Sequence, residues 1–210
     1  HNDNSLAVLR DIPGLIVACP SNGADAAMML REAMRLAREE QRAVVFVEPI
    51  ALYPMRDLHV AGDGGWMTTY PAVDKRISIG EVGIEGAGTD LAIVTYGNGR
   101  FLSVQAEKIL AEAHGLSVRV IDLRWLAPLP QDSLLAASAG CDAVLIVDEC
   151  RRTGGQAEGL MALYTENSMQ PIARVTAQDS FIATGPAYAA TLPSVDDIVA
   201  GALRLTGAKT

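Results

Sequence analysis

The stretch Leu91-Ala-Ile-Val-Thr-Tyr-Gly97-Asn-Gly99, with its continuation to His114-Gly115 and Val118-Arg-Val-Ile121, decides the fold. The run from Leu91 to Tyr96 is almost wholly apolar, the pattern of a strand covered on both faces. Leu102, Ala106, Ile109, Leu110 and Ala113 then recur at helical spacing. They predict a helix with that stripe turned inward and Gly115 as its C-terminal cap. Val118 to Ile121 is a second buried strand. Strand, helix and strand in this order form a parallel crossover unit.

The same alternation continues toward the C-terminus. Pro130 to Ala139 reads as a short helix opening on proline and closed by Gly140. Ala143 to Val147 is a strand, Gly155 to Glu166 a helix, and Pro171 to Val175 a strand. Ser194 caps the last helix, with Asp197 three residues on and Val195, Ile198, Val199, Ala202 and Leu203 as its buried face. Just upstream, Ile77 to Gly88 alternates apolar and polar residues among glycines, as a hairpin or edge strand does. Strand and helix therefore alternate four times from Leu91 onward, enough for a complete α/β domain.

A smaller unit precedes it. Leu15 to Cys19 and Ala43 to Val47 are buried strands flanking a helix. Ala26, Met29, Leu30, Ala33 and Ala37 make the apolar stripe of that helix, and Arg31, Glu32, Arg35 and Arg38 its wet side. The segment between the units carries Pro49, Pro54, Pro71, Gly62, Gly64 and Gly65 and reads as a linker. Trp66, Met67 and Tyr70 are too apolar for a free tether and are expected to pack on a neighbour.

Composition narrows the function. The 210 residues are 50% hydrophobic, enough for a sizeable core. No apolar run approaches the roughly 20 residues of a membrane span, and no leader of secretory type opens the chain. With 17 basic and 25 acidic residues the net charge is −8, which argues against a nucleic-acid binder. Cys19, Cys141 and Cys150 form no CxxC pair, as suits a reducing cytoplasm, and Cys19 and Cys141, beside apolar runs, read as buried structural thiols. The opening His1-Asn-Asp-Asn-Ser5 lacks an initiator methionine, and the chain is expected to be a fragment of a larger polypeptide.

Few residues suggest chemistry. Gly97-Asn-Gly99 between strand and helix, with Asp122 ending the next strand, imitates the dinucleotide fingerprint. Its third glycine is absent, because position 102 is Leu. A plain strand-to-helix turn explains the glycines better. Thr153-Gly154-Gly155 opens another helix and offers backbone N–H groups to an anion. An ordinary helix start, with Glu149 and Arg151-Arg152 paired at an interface, explains it better still. His59 lies in the linker, and His114 sits at a helix end, where a cation suits the dipole. No histidine has metal-ligand spacing.

Five segments taken in order carry a resemblance. They are His1 through Ile12-Pro-Gly-Leu15 to Pro20-Ser21; Val45-Phe-Val-Glu-Pro49 with Leu52-Tyr53; Val120-Ile-Asp-Leu-Arg124 with Pro128; Val147-Asp-Glu149 through Arg152-Thr-Gly-Gly155; and Pro171-Ile with Arg174-Val175, Asp179 and Leu192-Pro193. Together they resemble the beta subunit of the thiamine-diphosphate-dependent 2-oxoacid dehydrogenases of the pyruvate and branched-chain type, within the transketolase superfamily. The resemblance implies that residues 1–50 are the end of a pyrimidine-binding domain holding a partial parallel βαβ unit. It implies that 51–76 are a linker and 77–210 a complete transketolase C-terminal domain, a three-layer α/β fold. It places His1 on the family's active-site histidine, whose imidazole suits proton handling near neutrality.

The resemblance further implies thiamine diphosphate and magnesium in the full-length enzyme, with none bound to this fragment and no turnover by it alone. Its partners would be an alpha subunit or fused upstream half, a second copy related by two-fold symmetry, and a lipoyl-bearing acyltransferase. The Asn2-Asp3-Asn4 sequence after the histidine departs from the family and suits a branch with fused halves. Arg42 stands where an amide would help hold a structural monovalent cation, so no such ion is expected. Two other readings remain: a dinucleotide-binding domain using Gly97, Gly99 and Asp122, and a non-catalytic dimerisation module.

Overall fold

The computed structural model describes residues 6–208. Two sheets meet in it. The larger has five strands: β3 (Gly83–Glu85), β4 (Leu91–Thr95), β5 (Val118–Asp122), β7 (Ala143–Arg151) and β8 (Ile172–Ala177). Their spatial order is β3-β5-β4-β7-β8, and all neighbours are parallel except β3, an antiparallel edge strand on β5. The segment before β4 thus forms an edge strand and not a hairpin.

Helices cover both faces, giving three layers. α3 (Asn98–His114) and α6 (Val195–Thr206) pack on one side, where Phe101, Val104 and Leu110 meet Ile198, Ala202 and Leu203 over Leu91, Ile93 and Leu145. α4 (Gln131–Ser138) and α5 (Gln156–Asn167) cover the other, with Leu134, Leu160 and Tyr164 over Val94, Ile121 and Ile146. Because both faces are covered, the central strands read as continuous apolar runs instead of alternating ones. Gly115 and Gly207 end α3 and α6 in the left-handed conformation at φ 67° and 70°.

The start of α6 is a capping box. The Ser194 hydroxyl accepts from Asp197 N–H at 3.2 Å, and the Asp197 carboxylate accepts from Ser194 N–H at 2.9 Å. Ser194→Ala is expected to cost about 1 kcal/mol, a fall of roughly 2–4 °C in Tm for a chain of this size. A thermal melt followed by circular dichroism checks it.

The smaller sheet has the order β2-β1-β6, from β1 (Ile16–Ala18), β2 (Val44–Phe46) and β6 (Trp125–Ala127). β1 and β2 are parallel and joined by α2 (Gly23–Glu39), as the crossover pattern requires. β6 is an addition: it leaves the large domain after β5 and pairs antiparallel with β1. A four-residue helix, α1 (Ala7–Arg10), precedes β1.

Two apolar stripes are shifted from their sequence reading. On α2 the buried residues are Met29, Ala33 and Leu36, while Leu30 is 46% exposed and Ala37 is exposed. Glu32, read as solvated, is buried and held by Arg35 at 2.7 Å. On α3, Phe101 and Val104 replace Ile109 and Ala113 on the inner face. The reason is Trp66, which the linker presses edge-on against Phe101 at 5.0 Å between ring centroids. Met67 and Tyr70, expected to pack likewise, are 58% and 73% exposed. All three cysteines are buried and form no disulfide, as expected of Cys19 and Cys141. Among the described residues no helix is long and apolar enough to cross a membrane.

Candidate functional site

In a doubly wound sheet the crevice beyond the carboxyl ends of the strands, where the strand order reverses, is the natural ligand site. Here that region lies at the ends of β4, β5 and β7, where Gly97-Asn-Gly99, Asp122 and Asp148-Glu149 converge. The smaller sheet fills it. A Cβ on Gly97 would stand 3.3 Å from both Cys19 Sγ and a Pro49 ring carbon. The Gly97 N–H, which a pyrophosphate would need, donates to the Ser21 hydroxyl at 2.8 Å. Gly97 has φ 55°, so the turn needs glycine for its shape, and Gly99 abuts Thr95. The partial fingerprint is therefore a joint between two units and not a nucleotide cradle.

Asp122 is the most perturbed carboxyl in that joint. It is 1% exposed. Its Oδ2 has no hydrogen-bond partner among the described residues, and Arg100 Nε lies 3.8 Å away. Burial pushes its pKa up to about 6; Arg100, the Ser21 hydroxyl and Arg124 oppose the rise, and Asp25 adds to it. Arg100 is itself tied to Glu85 at 2.7 Å.

Beside it Arg124 grips Asp25 with two parallel bonds, Nε to Oδ2 at 3.0 Å and Nη2 to Oδ1 at 3.1 Å. Arg124 holds φ 59°, rare for a side-chain-bearing residue. Its guanidinium lies over Gly83, where a Cβ would come within 3.2 Å. The Arg124 carbonyl accepts from Cys19 N–H at 2.8 Å. Strand β5, helix α2 and strand β1 are thus locked through one residue.

The second anion candidate is also committed. Asp148 accepts from Ala157 N–H at 2.7 Å, from Cys150 N–H at 2.9 Å and from the Tyr96 hydroxyl at 2.6 Å. It caps α5 from within the core, so the Ala157 N–H is not free for an outside anion. Thr153 is bonded to Asp179 through both its N–H and its hydroxyl. Burial raises the Cys19 thiol well above its usual range and pushes Cys150 up to about 12. Both are therefore protonated and poor nucleophiles.

His114 ends α3 as read, and His59 N–H donates to Asp63 in a tight loop. His1 lies outside the described residues. Among these no cluster of three or more His, Cys, Asp or Glu is placed to hold a metal. Sequence reasoning gave no role to Ser21, Asp25, Arg100 or Arg124, although Ser21 and Arg124 lie in segments that carry the resemblance; Arg124 and its partner Asp25 are 99 residues apart.

The five-stranded sheet with its helices matches the transketolase C-terminal domain family over residues 80–198. The chain belongs to that family. It is also 30% identical over 203 residues to the pyruvate dehydrogenase E1 component subunit beta of Staphylococcus aureus, covering 95% of this chain and 58% of that one. The same subunit of Bacillus subtilis is 28% identical over 203 residues. The chain thus spans somewhat under two thirds of the curated relatives it matches. Among solved structures, a split-gene transketolase described as an inactive beta4 tetramer aligns with TM-score 0.74 at 22% identity, over 98% of this chain and 61% of that one. A 2-oxoglutarate:ferredoxin oxidoreductase from Magnetococcus marinus aligns with TM-score 0.60 at 15% identity, over 98% and 45%. These two likenesses bear on the fold of this transketolase C-terminal family member.

Proposed function

We propose that this transketolase-family chain is the C-terminal part of the beta side of a 2-oxoacid dehydrogenase, the enzyme that decarboxylates a 2-oxoacid and passes the acyl group to a lipoyl-bearing acyltransferase. The observation that carries the reading is similarity to pyruvate dehydrogenase E1 beta subunits along 95% of the chain. In this proposal residues 1–50 end a pyrimidine-binding domain, 51–76 link, and 77–210 form the C-terminal domain. The whole protein works in the cytoplasm with an alpha subunit or fused upstream half and a second copy.

The described residues do not fit thiamine diphosphate and magnesium by themselves. The N–H groups nearest an anion site are taken by Ser21 and Asp148, and no metal-ligand cluster is present among the described residues. In this reading the cofactor is held by other parts of the whole protein and would supply the carbanion chemistry when bound. On the same reading the described residues contribute one wall of the cleft, with Arg124 and Ser21 joining its two units. His1 would orient substrate and handle a proton.

The test uses the complete gene product. Decarboxylation of pyruvate and of 3-methyl-2-oxobutanoate is assayed with an artificial electron acceptor, with and without thiamine diphosphate and magnesium. Cofactor-dependent turnover of one acid is expected, and His1→Ala is expected to lower kcat by about 100-fold. Residues 1–210 alone are expected to be inactive. No activity with either acid, from a folded protein, overturns the reading.

A further inference from the structure

The outward face of α2 carries a groove of about 390 Å³, and nothing in the joint described above uses it. Its floor is Ala27, Leu30 and Met34, and its wall is Tyr70. Leu30 and Met34 are 46% and 55% exposed, and Tyr70 is 73% exposed. Four arginines line it against one glutamate, in a chain whose net charge is −8. Arg35 is neutralised by Glu32, Glu39 and Glu40. Arg31, Arg38 and Arg76 have no carboxylate within ion-pair distance among the described residues, unlike Arg100 and Arg124.

Arg31 is also built into place. Its guanidinium donates to the carbonyls of Pro71, Ala72 and Lys75 and lies 5.3 Å from the centre of the Tyr70 ring. A fixed cation loses little freedom when a partner arrives. We infer that this groove docks an acidic amphipathic helix of a partner polypeptide. Its apolar residues, spaced i, i+3 or i+4 and i+7, cover Leu30 and Met34, and its flanking carboxylates meet Arg31, Arg38 and Arg76.

The chemistry selects this occupant. An apolar floor that an amphipathic helix can cover is the pattern of helix-in-groove recognition, and the arginines that outnumber Glu39 on its rim match carboxylates with paired bonds. α2 is 17 residues long, about 25 Å, so a helix can lie along it. A second copy using the same face would set uncompensated arginines against one another, which is unfavourable. A small anion would leave Leu30 and Met34 wet. The inference does not depend on the catalytic reading and survives its failure.

The test is fluorescence anisotropy of the full chain with a labelled 18-residue probe helix carrying leucines on one face and glutamates beside them. Saturable binding is expected. It should weaken about 10-fold or more when lysines replace the probe's glutamates, in the double variant Arg38→Glu with Arg76→Glu, and in Met34→Asp. All three substituted residues are exposed, and circular dichroism verifies that each variant is folded. No saturable binding, equal binding of the lysine probe, or binding indifferent to the arginine reversals overturns the inference. So does self-association in sedimentation that Met34→Asp abolishes, since the face would then belong to a second copy.

Discussion

Arg124→Ala is expected to destabilise the chain by about 3–5 kcal/mol, the cost of stranding a buried charge whose partner has been removed. Asp25 is 6% exposed, and Arg124 supplies both of its side-chain ion-pair bonds. The substitution leaves that carboxylate in the seam between α2 and β5 with no cation to meet it. For a chain of this length the loss corresponds to a Tm lower by roughly 6–20 °C. The stranded charge and not the lost contact makes the effect large, and a second variant separates the two. Arg124→Met with Asp25→Asn removes both charges, and it should recover much of the stability lost by Arg124→Ala. Denaturant melts of the single and double variants read this directly. A single variant costing under about 1 kcal/mol, or a double variant as damaged as the sum of Arg124→Ala and Asp25→Asn measured in separate chains, would show that the clamp carries little.

Much of this architecture is legible in the residues. The core strands from Leu91 and Ala143 read correctly because burial on both faces leaves unbroken apolar runs, and the strand from Val118 is interrupted within its apolar run only by Arg119. Gly115 and Ser194 mark helix ends because their chemistry is local. The stripes of α2 and α3 are displaced from their sequence reading for a tertiary reason. Phe101 is drawn inward by Trp66, 35 positions earlier, and Leu30 is free to face outward because Met29 and Leu36 suffice to cover β1 and Trp125. Strand β6 is invisible in the sequence for the same reason. Trp125-Leu-Ala127 is short and precedes a proline, and its partner is β1, more than a hundred positions away. At the candidate site the residues give the place and not the meaning. Gly97, Gly99 and Asp122 do converge, but a polar joint and a ligand cradle draw on the same small and acidic residues. What separates them is whether Ser21 and Cys19 occupy the space, which no spacing reveals.

The same joint makes the stability depend on pH, through Asp122. Its pKa in the folded chain is about 6, against 3.8 for an unperturbed aspartate, and desolvation is the leading cause. A carboxyl raised on folding binds its proton more tightly in the native state. Its favourable contribution is therefore complete below pH 4 and is lost as pH rises through about 6. The difference of about 2 pKa units corresponds to roughly 3 kcal/mol between those limits. An amide in place of the carboxyl cannot titrate, so Asp122→Asn is expected to abolish this part of the slope. Measured as the stability of the native chain minus that of the variant, the difference should fall by about 3 kcal/mol from pH 4 to pH 7 and then level off. The surrounding charges decide the sign. Arg100 and Arg124 favour the ionised form, as does the Ser21 hydroxyl, while Asp25 disfavours it. Arg100 divides its charge between Asp122 at 3.8 Å and Glu85 at 2.7 Å, and Arg124 is committed to Asp25. Neither cation is close enough to repay the desolvation. Were Arg100 to close on Asp122 in solution, the carboxyl would be depressed and the difference would rise with pH. Urea melts of the two chains at half-unit steps from pH 4 to pH 8 distinguish these outcomes. A flat or rising difference would show that Asp122 is ionised and paired.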